Sequence, residues 1–299
     1  MARKKHPILL VIGILCAIVL VLVIVMSVLL SLTGPSKGLS FANRIGVISI
    51  EGMITNPEPF LKQLVEFKKD GRIKAIILRI NSPGGAVGPS QEIYREVRKT
   101  IKTKKVIASM STLAASGGYY IAAAADKIVA NPGTISGSIG VIMEFVQVED
   151  LLEKLGIGLE VVKSGEFKDI GSPHRKMSSR DREIVEGLTQ EVRNQFVEAV
   201  AEGRNLPVEA VREIADGRIL TGARCKELGL VDSLGNFMDA VDLAKEMVGI
   251  EGEVTLVHAK KAKSMLWELF FEESAESLYQ AIRNFLQTKV EYRWDGALK

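Results

Sequence analysis

The stretch Ile73-Lys-Ala-Ile-Ile-Leu-Arg-Ile80, running straight into Asn81-Ser-Pro-Gly-Gly85, decides how the rest of the chain is read. It is an apolar strand that ends at a tight turn, because proline and two glycines stop the ladder and permit the reversal. Working outward, Arg44-Ile-Gly-Val-Ile-Ser-Ile-Glu-Gly52 alternates like a strand and Lys105 to Met110 reads as a third. Gln91 to Lys102 has helical character, and the alanine-rich run from Gly117 to Ala125 reads as a second helix. Lys127 to Ala130 and Ile139 to Phe145 are further strand candidates, followed by a short helix near Val148 to Leu155. Strands alternating with helices at this spacing imply βαβ units, a mostly parallel sheet and an α/β fold.

Further along, Ser178 and Asp181 form a capping pattern ahead of a long helix from Ser179 to Arg204. Val185, Leu188, Val192, Phe196 and Ala199 fall three or four residues apart and give that helix one buried face. Leu220 to Asp232 reads as a helix entering a strand. Residues 265–286 carry Leu266, Trp267, Phe270, Phe271 and Phe285 among acids, a stripe suited to packing on a neighbouring subunit or touching a membrane surface.

The 299 residues carry a net charge of +3 and are 47% apolar, but the apolar residues are unevenly spread. Ile8 to Leu32 contains no charged residue. At about 1.5 Å per residue it extends roughly 37 Å, enough to cross a hydrocarbon core of about 30 Å. A cleavable signal peptide has a shorter apolar run that ends at small residues, and Leu30-Ser-Leu-Thr-Gly34 fits that poorly. Arg3, Lys4 and Lys5 precede the span, so the positive-inside rule keeps the N-terminus cytoplasmic. The expected organisation is a tail at 1–7, a transmembrane anchor at 8–32, a linker at 33–43, a catalytic domain at 44–250 outside the membrane, and a C-terminal extension at 251–299.

Cys16 lies in that span and Cys225 stands alone, so there is no disulfide framework. No basic block supports nucleic-acid binding. No His, Cys and carboxylate cluster has metal-ligand spacing and no phosphate loop is present, so no cofactor is expected.

Chemistry concentrates at Ser116, in Thr112-Leu-Ala-Ala-Ser-Gly-Gly-Tyr-Tyr120. A serine hydroxyl is a poor nucleophile until an adjacent base takes its proton. The three histidines, at 6, 174 and 258, offer no plausible partner, which points to lysine. Ser116 sits between a strand and a helix, where the helix start presents free amides. The amides of Gly85 and Gly117 are placed to form an oxyanion hole, since both glycine junctions close parallel strands at the same sheet edge.

Asn81 to Gly85, Ala114 to Tyr120, Gly133-Thr-Ile-Ser-Gly-Ser-Ile-Gly140, Lys163-Ser-Gly-Glu-Phe-Lys-Asp169 and Gly217-Arg-Ile-Leu-Thr-Gly222 resemble, in that order, the signature stretches of signal peptide peptidase A in its short membrane-anchored form. The resemblance covers roughly residues 44–245. It implies a Clp/crotonase-like fold of repeated ββα units, a Ser-Lys dyad and a ring-like homo-oligomer. Residue by residue, it makes Ser116 the nucleophile, Lys168 the general base and Ser138 the hydroxyl that orients the lysine amine. Lys163, at the end of an apolar strand, and Lys154, in an acidic helix, are the other lysines to weigh. His174 reads as a surface residue.

The function implied is a membrane-anchored serine endopeptidase that cleaves apolar peptides, such as remnant signal peptides after secretion. A crotonase-like acyl-CoA enzyme would share the fold and the turn, and an inactive peptide-binding scaffold would share everything but turnover.

Overall fold

The structure, a computed structural model, describes residues 15, 17–26, 43–259 and 290–293. The chain divides into two units, Met1–Phe41 and Ala42–Lys299. In the first, residues 17–26 form helix α1, whose apolar side chains are exposed. No helix of the described residues is long and apolar enough to cross a membrane, and much of the 8–32 segment lies outside them.

The second unit follows the order β1 (Arg44–Glu51), α2 (Glu58–Lys69), β2 (Ile73–Ser82), β3 (Gly84–Ala86), α3 (Val87–Thr100), β4 (Lys105–Ala115), α4 (Gly117–Ala123), β5 (Lys127–Ala130), β6 (Ile135–Gly137), β7 (Ile142–Met143), α5 (Glu149–Lys154), α6 (Ser179–Arg204), α7 (Val208–Ile214), β8 (Ile219–Thr221), α8 (Gly222–Glu227), β9 (Ser233–Leu234), α9 (Phe237–Met247), β10 (Thr255–His258) and β11 (Val290–Arg293). Strands β10, β1, β2, β4, β5 and β9 lie side by side in that order, every pair parallel. A second, three-stranded sheet has β11 between β3 and β7, antiparallel to both.

Strand β2 is the hinge of the design because both its faces are buried, as its unbroken apolar run dictates. Ile76, Leu78 and Ile80 face a core shared with Leu64, Ile93, Val97, Phe196 and Val200, and so with α2, α3 and α6. Ala75 and Ile77 face the opposite layer, made by Ala240, Val241 and Ala244 of α9. The result is an α/β body with helices on both sides of a mostly parallel sheet.

Strand β4 runs five residues beyond the Met110 end expected from the sequence. Its first half pairs with β5, and Leu113 to Ala115 then pair with Ile135 to Gly137 of β6. That second pairing explains the length: Ser-Thr-Leu-Ala-Ala is too mixed to read as strand until a neighbour supplies the ladder. The Ile139–Phe145 strand shrinks to Ile142–Met143, and the true partner of β4 lies upstream, ahead of a turn with positive φ at Gly137 and Ser138. Lys163 does not close a strand; residues 158–163 are irregular and exposed.

Helix α6 carries the expected cap, with the Ser178 hydroxyl accepting from the Asp181 amide and the Asp181 carboxylate from the Ser178 amide. Its buried apolar face starts only at Val192, since Leu188 is 42% exposed and Asp181 is the one buried residue before it. Near its other end Gly203 touches α4 so closely that a methyl group there would stand 2.0 Å from the Ala123 carbonyl oxygen. Gly203→Ala must therefore push α6 off α4 and is expected to cost about 2 kcal/mol. A lower denaturant midpoint at unchanged slope is the expected reading; an unchanged midpoint would mean that this contact yields freely.

Candidate active site

The site is built where β4 turns into α4. Ser116 occupies the junction with φ 51° and ψ −119°, a conformation rare for any residue but glycine. Holding it there costs on the order of 1–3 kcal/mol, which the surrounding structure must impose. The imposition is visible: the Ser116 amide donates to the Gly137 carbonyl at 2.9 Å, and the Ser116 carbonyl accepts from Tyr120 at 2.8 Å. Helix α4 is buried along its whole length. Tyr119 donates its hydroxyl to the Leu230 carbonyl at 2.8 Å, and the Tyr120 ring packs between those of Tyr94 and Phe196.

Ser116 is fully buried, and its Oγ has no hydrogen-bond partner. A buried hydroxyl left unsatisfied costs roughly 1–3 kcal/mol, so this oxygen is poised for something other than stability.

Gly117 brings the second glycine junction into contact with the first. A methyl group on it would stand 2.7 Å from Ser90 Oγ, 3.2 Å from Gly84 Cα and 3.3 Å from the Gly85 nitrogen. On Gly85 the same methyl would lie 2.2 Å from the Ile54 carbonyl oxygen, so both positions require glycine for close approach. Ile54 donates to the Gly84 carbonyl and accepts from the Ala86 amide, each at 2.8 Å. Because alternate residues of a strand address opposite edges, the Gly85 N–H points away from Ile54, toward the edge that β11 occupies.

Ser138 continues the β4–β6 register, in which Ala115 pairs with Gly137, and so comes next to Ser116. It too has a positive φ, 49°, and its amide donates to the Arg218 carbonyl at 2.8 Å. The fold thus brings Ser116, Gly117, Gly85 and Ser138 together.

Lys168 is different. It lies in an exposed turn, its amide donating to the Gly165 carbonyl at 3.2 Å, and no hydrogen bond joins it to Ser116. Its neighbours are nevertheless ordered around it. Asp169 accepts from Lys163 Nζ at 2.7 Å and from Arg175 at 2.9 and 3.0 Å, while Arg175 also reaches Asp181 at 2.5 Å. The Asp169 carboxylate therefore faces Lys163 and Arg175, and Lys163 is engaged as an ion-pair partner. Lys154 is exposed at the end of α5, and His174 is exposed as the sequence suggests.

Hydrogen bonds from Arg175 hold the Asp169 carboxyl well below its usual range and lower that of Asp181 to about 2. A carboxyl depressed in the folded state adds stability above its unfolded value, and that contribution disappears as pH falls through the folded one. The stability gap between wild type and Arg175→Ala is thus expected to be full at pH 6, to narrow below about pH 4 and to go on narrowing through about pH 2. Acid titration of unfolding measures it; a gap independent of pH would contradict the assignment.

The sequence reading missed β11. Tyr292 pairs in register with Gly85, Glu291 with Ala86 and Arg293 with Gly84, while Val290 and Glu291 pair with Met143 and Ile142 of β7. A short alternating Val-Glu-Tyr-Arg was the available signal, but the residues around it read as an extension of the amphipathic segment. Among the described residues no group of three His, Cys, Asp or Glu could hold a metal ion.

A serine at a strained strand-to-helix turn, facing a glycine turn, is the arrangement of an acyl-transfer site. The family model for peptidase family S49 matches residues 98–251, and that for Clp protease matches residues 41–133. The chain belongs to peptidase family S49. This S49 chain is 45% identical over 216 residues to a provisionally named protease of Synechocystis sp., covering 71% of itself and 77% of that protein. It is 42% identical to a protein of Enterococcus faecium provisionally named signal peptide peptidase SppA, over 64% of this chain and 56% of the other. It is 34% identical to the chloroplastic serine protease SPPA of Arabidopsis thaliana, over 79% of this chain and 36% of that one. The chain thus spans most of the first relative and about half and a third of the other two. As an S49 member of the signal peptide peptidase A type it is a serine peptidase.

Proposed function

We propose that this peptidase is a membrane-anchored endopeptidase that cleaves apolar peptides, remnant signal peptides among them, through an acyl-enzyme on Ser116. One observation carries the reading: a fully buried Ser116 Oγ without a partner, held at φ 51° against the Gly84-Gly85 turn.

In the proposed reaction Ser116 Oγ attacks the peptide carbonyl while Lys168 takes its proton. The Gly85 and Gly117 amides donate to the oxygen as it becomes negative, a contribution of about 3 kcal/mol per donor in comparable sites. Lys168 then passes the proton to the leaving amine, and water resolves the ester by the same route. Ser138 beside Ser116 would accept a hydrogen bond from the lysine amine and aim its lone pair at Oγ. Peptide bound as a strand along β3, in the manner of β11, places the residue opposite Gly85 with its carbonyl toward that amide.

To serve as base Lys168 must offer a neutral amine, a state that removal from water would favour. The carboxylate of Asp169, its neighbour in sequence, is already engaged by Arg175 and Lys163. Burial would come from a second copy: Leu151, Leu155, Ile157, Leu159, Val161 and Val162, on the same stretch of chain, are about half exposed or more. That supports a homo-oligomer. The charge-free 8–32 segment would anchor residues 44–250 outside the membrane with the N-terminus cytoplasmic, so that peptides released into the bilayer meet the site at high effective concentration. Hydrolysis of an internally quenched apolar peptide by the full chain in detergent tests the reading. Cleavage of an acyl-CoA thioester instead would contradict it.

A further inference from the structure

The chain's own strand β11 shows how a peptide lies in the groove between β3 and β7. Its backbone is antiparallel to both, with Tyr292 opposite Gly85 and Arg293 opposite Gly84. Glu144 directly follows β7, and its side chain is 61% exposed beside β11. Arg293 sends its Nη2 across to Glu144 Oε2 at 2.5 Å, and its side chain as a whole is 22% exposed.

We propose that Glu144 is a specificity-determining residue, whose carboxylate selects a basic side chain on the peptide at the position Arg293 holds. The proposal deepens the reading of Ser116 and Gly85 given above and rests on it. If the Gly85 amide binds the oxygen of the attacked carbonyl, the residue opposite Gly85 precedes the cleaved bond. The residue opposite Gly84 then follows it, so the basic preference falls on the first residue of the leaving peptide.

The physical argument is one of charge and reach. A guanidinium is planar and strongly donating, and pairs with a carboxylate in a groove whose backbone ladder already fixes the peptide's direction and register. Glu144 is the acidic side chain of the β7 rim, and the nearest residues of its own segment, Val141, Ile142, Met143 and Phe145, are apolar. An acidic peptide residue at this position would face like charge. Substrates apolar elsewhere and basic just after the cleaved bond are the class that fits. In a membrane-surface enzyme such a residue lets the leaving fragment remain wet while its apolar partner stays in the groove.

The test uses the full chain in detergent and three quenched peptides that differ only in Arg, Ala or Glu just after the cleaved bond. Because the Glu144 pair is partly solvated, kcat/KM is expected to favour Arg over Ala by about fivefold and over Glu by about tenfold. In Glu144→Gln the Arg preference is expected to fall to within twofold, and in Glu144→Lys the order of Arg and Glu should invert. Mass analysis of the fragments fixes which bond is cut. An Arg preference that survives both substitutions, or no preference in wild type, overturns the proposal. Turnover of all three peptides by Ser116→Ala would instead condemn the site assignment on which it rests, so the two failures are distinguishable.

Discussion

Ser116→Ala is expected to abolish peptide hydrolysis, by about 10⁴-fold or more, and to leave the protein more stable than wild type. The loss follows from the chemistry, since no acyl-enzyme forms without the hydroxyl. The gain follows from the structure. Oγ is buried and has no hydrogen-bond partner, so wild type carries an unsatisfied polar atom that alanine removes. The strained φ of 51° is common to both side chains and cancels. About 1 kcal/mol of added stability is therefore expected, read from denaturant midpoints measured beside the activity assay. A serine kept for structural reasons would behave the opposite way, losing stability on substitution. An inactive and destabilised variant would argue that Ser116 is a structural junction only.

Lys168→Ala carries the second large effect, a loss of about 10³-fold or more in kcat/KM, as expected when the base is removed from a unit that works together. Lys168→Arg should be as inactive, because guanidinium does not give up its proton near neutral pH. His174→Ala should match wild type, since His174 is exposed on a loop and has no hydrogen bond to Ser116. Lys163→Ala distinguishes the two lysines of the motif. It opens the ion pair to Asp169, whose carboxylate keeps both hydrogen bonds from Arg175. Lys163→Ala is therefore expected to keep most of its activity, whereas Lys168→Ala should not. Full activity in Lys168→Ala at neutral pH would sink the dyad.

The parallel core was legible in the sequence because its signals are local. The run from Ile73 to Ile80 is apolar on both faces, the Pro83-Gly84-Gly85 turn closes it, and the cap at Ser178 announces α6. Ser116, Gly85 and Gly117 stood out for the same reason, as punctuation at strand ends. Helices α2 and α9 went unread although the Asn236–Asp239 capping box is a local signal, and the other misses are elements defined by a distant partner. The last third of β4 is a strand only because β6 lies beside it, and β11 only because β3 and β7 leave a slot. The role of Ile54 in forcing glycine at 85 depends on a backbone contact thirty-one residues away in sequence. Lys168 is the hardest case, because it lies in an exposed turn and no hydrogen bond joins it to Ser116. The amphipathic stripe at 265–286 lies outside the described residues.

The central claim is that Ser116 is a nucleophile activated by a lysine. Its most direct test is to treat the full chain in detergent with a serine-directed phosphonylating probe and map the adduct by mass spectrometry across a pH series. One adduct, on Ser116, forming faster as pH rises and not forming in Lys168→Ala, is the result expected. An adduct on another residue, or labelling of Ser116 at the same rate in Lys168→Ala as in wild type, would contradict the account.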